Sequence, residues 1–523
     1  MSVDDNTVAW LQLALCLAGA ALLAWGQVLA RLGRADAMRR LRDGLLAVLG
    51  VLGAAAYFNF GDLHHPRFIH NWDTFHYYMG SKYFPELGYE RLYLCTIVVE
   101  AERGFTSTRT IRDLRNNEQV RTYSVRNDPE ACKAHFTPER WTSFRRDMAF
   151  FHGRESERRW SRILNDHGYN ATPVWNALGQ TLANTGPATA QQVTALNLLD
   201  PVFLLAMVVM IAWAFGWRVA AVAALFFGTD IAGRYLWTGG SFLRHDWLFW
   251  LVGSICLLKK DRPFLAGGFI AYATLLRLFP GLAILGPMLA LIAIYRRDRR
   301  LDRGLLRYFA GGIAATVVLV GASVAVSGPE SWRDFARNTE KHLGTALTNN
   351  MGLPALLAYR PDTTVAQLTE TSRLDPIKAW RAAHAEGLRE ARPVFIALCI
   401  AFAVLLYLAV VKAGAEPWIA ASLGIGMLAV GVELTCYYYC FFVGLVLAMY
   451  QRPGVGILIL LMNAGWLLME RYSHWGDEKF VAMSALAVAV YALILLRFAW
   501  PIGFRKAATT SPSPASPVPD STR

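Results

Sequence analysis

Asp73 stands in the segment HPRFIHNWDTFHYYMGSKYF, with His70, His76, Tyr77, Tyr78 and Lys82 close by in sequence. A carboxylate among titratable and aromatic side chains suits a general base that draws a proton from a hydroxyl. If FHYYMGSKYF is helical, Asp73 lies at its start, and His76 and Tyr77, three and four residues on, share its face. Gly80, one turn further, lets something approach that face closely. The competing reading is structural, with Asp73 capping the helix by accepting backbone N–H bonds. His64, His65, His70, Asp73 and His76 are all of metal-ligating type, but their spacing matches no zinc signature. No cofactor is expected, and a divalent metal is the less favoured alternative.

Four further segments carry groups suited to an anion or a sugar. GRYLWTGGSFLRHDWLFWL supplies Arg234, Arg244, His245 and Asp246, and LLRLFPG supplies Arg277 just before Pro280. Arginines converging at a membrane boundary form an anion site, and a lipid phosphate is the obvious anion; the alternative is that each snorkels to headgroups. SWRDFARNTEKHLGTALTNNMGLPALL offers Lys341 as a cation and His342 as a titratable donor, with Asn349 and Asn350 suited to sugar hydroxyls. It reads equally as an amphipathic surface helix. In ELTCYYYCFF, Tyr437, Tyr438 and Tyr439 can stack on a sugar or form an interfacial aromatic belt.

The elements that must position these groups are membrane spans. Of the 523 residues, 54% are hydrophobic and 17% charged, and the mean hydropathy is +0.30. Apolar runs fall at roughly 8–30, 44–60, 194–215, 218–232, 245–258, 263–278, 280–295, 306–327, 392–411, 416–433, 436–450, 453–469 and 481–499. The expected fold is an all-α polytopic membrane protein of about 13 transmembrane helices, with 11–13 compatible with the shorter runs. The net charge of +13 does not point to nucleic acid, because the basic residues sit in short loops: Arg31 to Arg42, Lys259 to Arg262, and Arg296 to Arg307. Such loops mark cytoplasmic faces. The acidic start without a positive n-region argues for an uncleaved first span with its N-terminus outside.

This topology puts residues 61–192, 328–391 and 470–480 on the outer face. The organisation expected is an extra span and basic cytoplasmic loop (1–43), a core module (44–327) holding the large outer loop, a second outer loop (328–391), C-terminal helices (392–504) and a Pro/Ser-rich disordered tail (505–523). The outer loop 61–192 contains Trp141, Phe144, Phe150, Phe151, Trp160 and Ile163, too many apolar residues for a linker, and reads as a small, mainly helical domain. Cys95 and Cys132 both lie in it and are disulfide candidates in an oxidising periplasm.

An early span followed by an outer loop with an acidic residue near its start, and many short spans behind it, resembles the C-type superfamily of membrane glycosyltransferases. The polyprenyl-phosphate-mannose-type mannosyltransferases are the nearest likeness, through NWDTFHYYMGSKYF, RHDW, RLFPG and YYY. The first outer loop is longer than in compact members. The resemblance implies an inverting transfer of a sugar from a polyprenyl phosphate to an acceptor hydroxyl on a glycan, lipid or protein. It would run at the extracytoplasmic face of a bacterial inner membrane and serve the cell envelope. Asp73 would act as base; Arg244, His245, Arg277, Lys341 and His342 would hold the donor phosphate; His76, Tyr77, Asn349, Asn350 and Tyr438 would contact sugar or acceptor. A lipid or polysaccharide transporter, a lipid-linked glycan ligase and a non-enzymatic membrane scaffold are the rival readings.

Overall fold

The computed structural model describes residues 5–63, 68–105, 108–472 and 476–500; it is 74% helical, with two short two-stranded sheets. His64, His65 and the tail 505–523 lie outside the described residues. Each of the thirteen apolar runs is helical, but they differ in length. Among the described residues, seven helices are long and apolar enough to cross a membrane: Asn6–Arg31, Ala190–Phe215, Phe279–Asp298, Arg303–Ser327, Arg392–Lys412, Gly454–Arg471 and Glu478–Ala499. Trp217–Thr229, Pro263–Arg277, Pro417–Gly431 and Cys436–Tyr450 are apolar but shorter. Helix-breaking residues explain several of these lengths: Pro263 begins one helix, Pro280 follows its end, and Gly424 and Gly426 interrupt another. The expected count of thirteen crossings is therefore not what the helix lengths establish.

Ile313, Val317 and Val318 on Arg303–Ser327 are each about two-thirds exposed, an apolar face suited to lipid. Trp247, Leu248, Leu251 and Val252 of the shorter helix Asp246–Lys259 are buried among its neighbours.

The segment expected as the first outer loop, called the outer domain below, folds as a helical domain with one hairpin among its described residues, Thr110–Asp113 against Glu118–Arg121. Phe75, Phe144, Phe151, Trp160 and Ile163 form its core. Thr137, Ser156, Thr172 and Thr189 cap four helices by accepting a backbone N–H, satisfying donors that helix starts leave open. Lys82 and Asp147 pair at 2.8 Å inside the domain, and Cys95 and Cys132 are joined, with their Cα atoms 5.4 Å apart. Hydrogen bonds seat the domain on the membrane helices. The Thr172 hydroxyl donates to the Leu275 carbonyl (2.6 Å), and the Asn176 amide donates to the Ser327 hydroxyl (2.9 Å). The second outer loop is tied down by a two-residue ladder, Asn350–Met351 against Leu434–Thr435.

Candidate active site

The helix Asn71–Lys82 carries Asp73, and the residue that caps its start is not Asp73. His70 is the N-cap: its Nδ1 accepts the Asp73 backbone N–H at 3.1 Å. The carboxylate of Asp73 is thereby left for other partners, and a negative charge in the first turn is favoured by the helix dipole. Asp73 Oδ1 accepts from Arg244 Nη1 at 3.1 Å, while Oδ2 is buried without a hydrogen-bond partner. One turn on, the Tyr77 hydroxyl donates to Asn170 Oδ1 (2.8 Å) and accepts from Arg277 Nη1 (2.9 Å). Asp73 and Tyr77 are four residues apart, so their guanidinium partners are held at points about 6 Å apart along one helix face.

Both arginines leave backbone that an L-residue adopts reluctantly. Leu243, just before Arg244, has φ 51°, and Leu278, just after Arg277, has φ 43°. Such conformations cost about 1–3 kcal/mol each and persist where the surroundings impose them. Arg244 lies 4.4 Å from the Tyr437 ring centre and 5.6 Å from that of Tyr438, so two of the three tyrosines line its guanidinium. Arg277 makes no ion pair among the described residues, and its Nε has no partner.

These groups line a cleft with two lobes. The inner lobe, about 550 Å³, is walled by Tyr77, Arg277, Asn338, His342, Asn350, Glu433 and Tyr438, with Leu276, Leu278, Phe279 and Leu282 on its membrane side. The outer lobe, about 780 Å³, is walled by Trp72, Arg158, Arg159, Arg162, Trp237 and Asn349. Asp73, Asp166, His167, Arg244, Leu347, Thr435 and Tyr437 line both lobes and mark where they meet.

The other candidates are distributed unevenly around this junction. His342 faces the inner lobe with Nε2 unpartnered, its ring 5.9 Å from that of His167. Burial, aided by Lys341, pushes the His342 imidazole down to about 4. Burial, aided by Arg112, pushes that of His167 down to about 3. Both rings are therefore neutral at pH 7. Asn350 donates to Glu433 Oε1 at 2.8 Å, and Tyr438 packs 4.8 Å from Phe279. His76 is buried, with Nε2 against the Tyr93 hydroxyl at 2.6 Å, and burial lowers its pKa.

Lys341 and His245 are not brought to the cleft. Lys341 Nζ donates to the Leu114 carbonyl of the outer domain. His245 is buried with Nδ1 against Asp200 Oδ2 at 2.8 Å. Gly80 does admit a close neighbour, the Tyr169 ring, whose Cγ would lie 2.4 Å from a Cβ at position 80.

Asp166, which the sequence did not single out, is the second carboxylate at the junction. Its Oδ2 accepts from Trp72 Nε1 (2.6 Å) and its Oδ1 from the His167 backbone N–H (2.8 Å). Burial opposes its ionisation, but the neighbouring His76 and His167 and these hydrogen bonds hold the carboxyl below the usual range. The adjacent Asp-His pair was the available signal, and only folding carries it across 93 residues to Asp73. Among the described residues, no group of three or more His, Cys, Asp or Glu side chains is placed to hold a metal ion.

The cleft thus brings together a half-buried carboxylate with one unpartnered oxygen, two arginines and an apolar flank. Residues 247–432 match the model of Glycosyltransferase family 87, a membrane family of the C type. The matched stretch includes Arg277, His342 and Asn350, while Asp73, Arg244 and Tyr438 lie outside it. Over that stretch the chain is thus similar to a family of membrane glycosyltransferases. No curated protein and no solved structure matches the chain.

Proposed function

We propose that the protein is an inverting glycosyltransferase that moves a hexose, mannose by resemblance, from a polyprenyl phosphate to an acceptor hydroxyl. The observation that carries this reading is Asp73, held on one oxygen by Arg244 and unpartnered on the other, where the two lobes meet. The inner lobe suits the donor. Its phosphate would lie near Arg277, which makes no ion pair among the described residues, with the polyprenyl chain leaving past Leu278, Phe279 and Leu282. Asn350 and Tyr438 would then face the sugar. The acceptor enters by the outer lobe, where Asn349 lies.

In the reaction, Asp73 Oδ2 takes the proton of the acceptor hydroxyl as its oxygen bonds to the anomeric carbon. The bond from that carbon to the phosphate oxygen breaks, and the lipid phosphate leaves with the electron pair. Arg277 and Arg244 offset the charge that develops on it. Attack from the side opposite the leaving group inverts the anomeric centre. His342, being neutral, can donate or accept a hydrogen bond, but it does not add a third positive charge.

The distribution of charge supports a cleft on the extracytoplasmic side of a bacterial inner membrane. The helix Asp246–Lys259 begins beside Arg244 and ends at Lys259, about 20 Å away along its axis. The helix Arg303–Ser327 begins at Arg303 and Arg307 and ends at Ser327, which bonds the outer domain. The basic ends thus lie away from the cleft, as short cytoplasmic loops would.

The test uses purified protein in liposomes with a panel of polyprenyl-phosphate sugars, reading release of free lipid phosphate with cell-envelope extract as acceptor. Release by wild type but not by Asp73→Asn supports the transfer. Absence of release with every donor favours the transporter reading.

A further inference from the structure

We infer that the acceptor is an anionic glycan, its sugar lying against Trp72 and Trp237 and its phosphate or carboxylate held by Arg158 and Arg162; this rests on the transferase reading above. The two arginines are four residues apart on the helix Glu157–Ile163, so they project from one face, and both line the outer lobe. Neither makes an ion pair among the described residues, whereas Arg140, Arg145, Arg146 and Arg159 of the same domain each do. The carboxylates that share the lobe do not answer them. Asp73 is held by Arg244, and Asp166 by Trp72 and the His167 backbone. Two positive charges therefore face the lobe without compensation, which favours an anion.

The aromatic walls supply the rest of a glycan site. Trp72 is half-buried, and its indole N–H is fixed on Asp166, so the ring is pre-set rather than free to turn. Trp237 is also half-buried, with the Arg234 guanidinium 4.2 Å from its ring centre. Broad rings beside guanidinium groups match a sugar face beside an acidic substituent. The inner lobe has a different character, because Leu276, Leu278, Phe279 and Leu282 line one side and, among the described residues, Arg277 is its arginine without an ion pair. The two lobes are thus suited to different anions, a lipid phosphate inside and an acidic glycan outside.

The decisive experiment titrates detergent-solubilised full-length protein with a hexose phosphate, a hexuronate or the parent neutral hexose, reading quenching of tryptophan fluorescence. Quenching by the anionic sugars at least tenfold tighter than by the neutral one, with that preference lost in R158Q/R162Q, is the expected result. The preference should also weaken as salt rises from low to physiological strength. Equal affinity for all three sugars, or a preference that survives the double substitution, overturns the inference. So does quenching by inorganic phosphate as strong as by the hexose phosphate, which would show an anion site without a glycan. Vesicles rich in anionic lipid provide another arm: if R158Q/R162Q loses vesicle binding but sugar binding does not change, the arginines serve the membrane surface. The titration needs no donor, so it reads the acceptor site even if lipid-phosphate release fails. Where release is seen, the double variant should raise KM for a phosphorylated acceptor about tenfold relative to its neutral counterpart.

Discussion

Replacing Asp73 by Asn should abolish most of the transfer while leaving the fold in place, and the same change at Asp166 should not. Two carboxylates stand where the lobes meet, and hydrogen bonding distinguishes them. Both Asp166 oxygens are engaged, by Trp72 Nε1 at 2.6 Å and the His167 N–H at 2.8 Å, and neither is poised to take a proton. Asp73 has one oxygen on Arg244 and one without a partner. Asparagine retains an oxygen to accept from Arg244 but places an amide where the base must be. Loss of a general base costs about 10²–10⁴-fold in rate, which is about 2.7–5.4 kcal/mol in the barrier. Arg244 loses its countercharge, and breaking a fully buried pair costs about 3–5 kcal/mol. Here the Asp73 side chain is 15% exposed to the cleft, and water there limits the loss. Asp166→Asn instead turns an amide toward the Trp72 indole N–H and should raise acceptor KM several-fold, with kcat within about tenfold of wild type. Initial rates of lipid-phosphate release, with melting temperatures as a control for folding, separate the two variants. If Asp73→Asn keeps kcat within threefold of wild type, or if Asp166→Asn suffers the larger loss of kcat, the assignment of the base is wrong.

Arg277→Lys should lower kcat/KM for the lipid-phosphate sugar about 10–100-fold, because an ammonium lacks the planar fork that lets the guanidinium bond Tyr77 through Nη1 while its Nε stays open to phosphate; donor-concentration kinetics would show it. Removing the Cys95–Cys132 bond, which spans a sequence separation of 37, should destabilise the outer domain by about 4 kcal/mol. Faster limited proteolysis in the domain, with the membrane helices intact, is the readout. Gly80→Ala drives a methyl into the Tyr169 ring and should cost about 1–3 kcal/mol, seen as a lower melting temperature. His167 and His342 bind protons less readily folded than unfolded, since burial lowers them from 6.5 to about 3 and about 4. Between those values and 6.5 the unfolded chain binds more protons, so stability should fall as pH drops through that window. His342→Gln should flatten part of the fall between pH 7 and pH 5 in a melting series.

How much of this was legible in the sequence depends on whether a feature is local. The helical segments were, because each apolar run reports its own periodicity and composition. Their lengths were less so: Pro280 and the left-handed Leu278 turn one expected pair of spans into a short helix, a tight turn and a longer helix, and place Arg277 at the break. The neighbours of Asp73 on its own helix followed from spacing, and Tyr77 does lie one turn along the same face of Asn71–Lys82. What spacing could not decide was which long-range partner each side chain meets. His245 sits next to Arg244 in sequence, yet it turns to Asp200 while Arg244 turns to Asp73. Lys341 and His342 are likewise adjacent, and only the histidine faces the cleft. On the helix Glu330–Leu343 adjacent residues point about 100° apart, which turns Lys341 and His342 to different surroundings. Asp166 shows the converse. It reaches the junction only because a folded outer domain, with its own core and a disulfide-joined helix, returns the chain to Trp72. The long loop between the second and third apolar runs therefore lines the candidate cleft: it supplies Asp73, Asp166 and the arginines of the outer lobe, while the apolar helices supply Arg277 and the apolar flank.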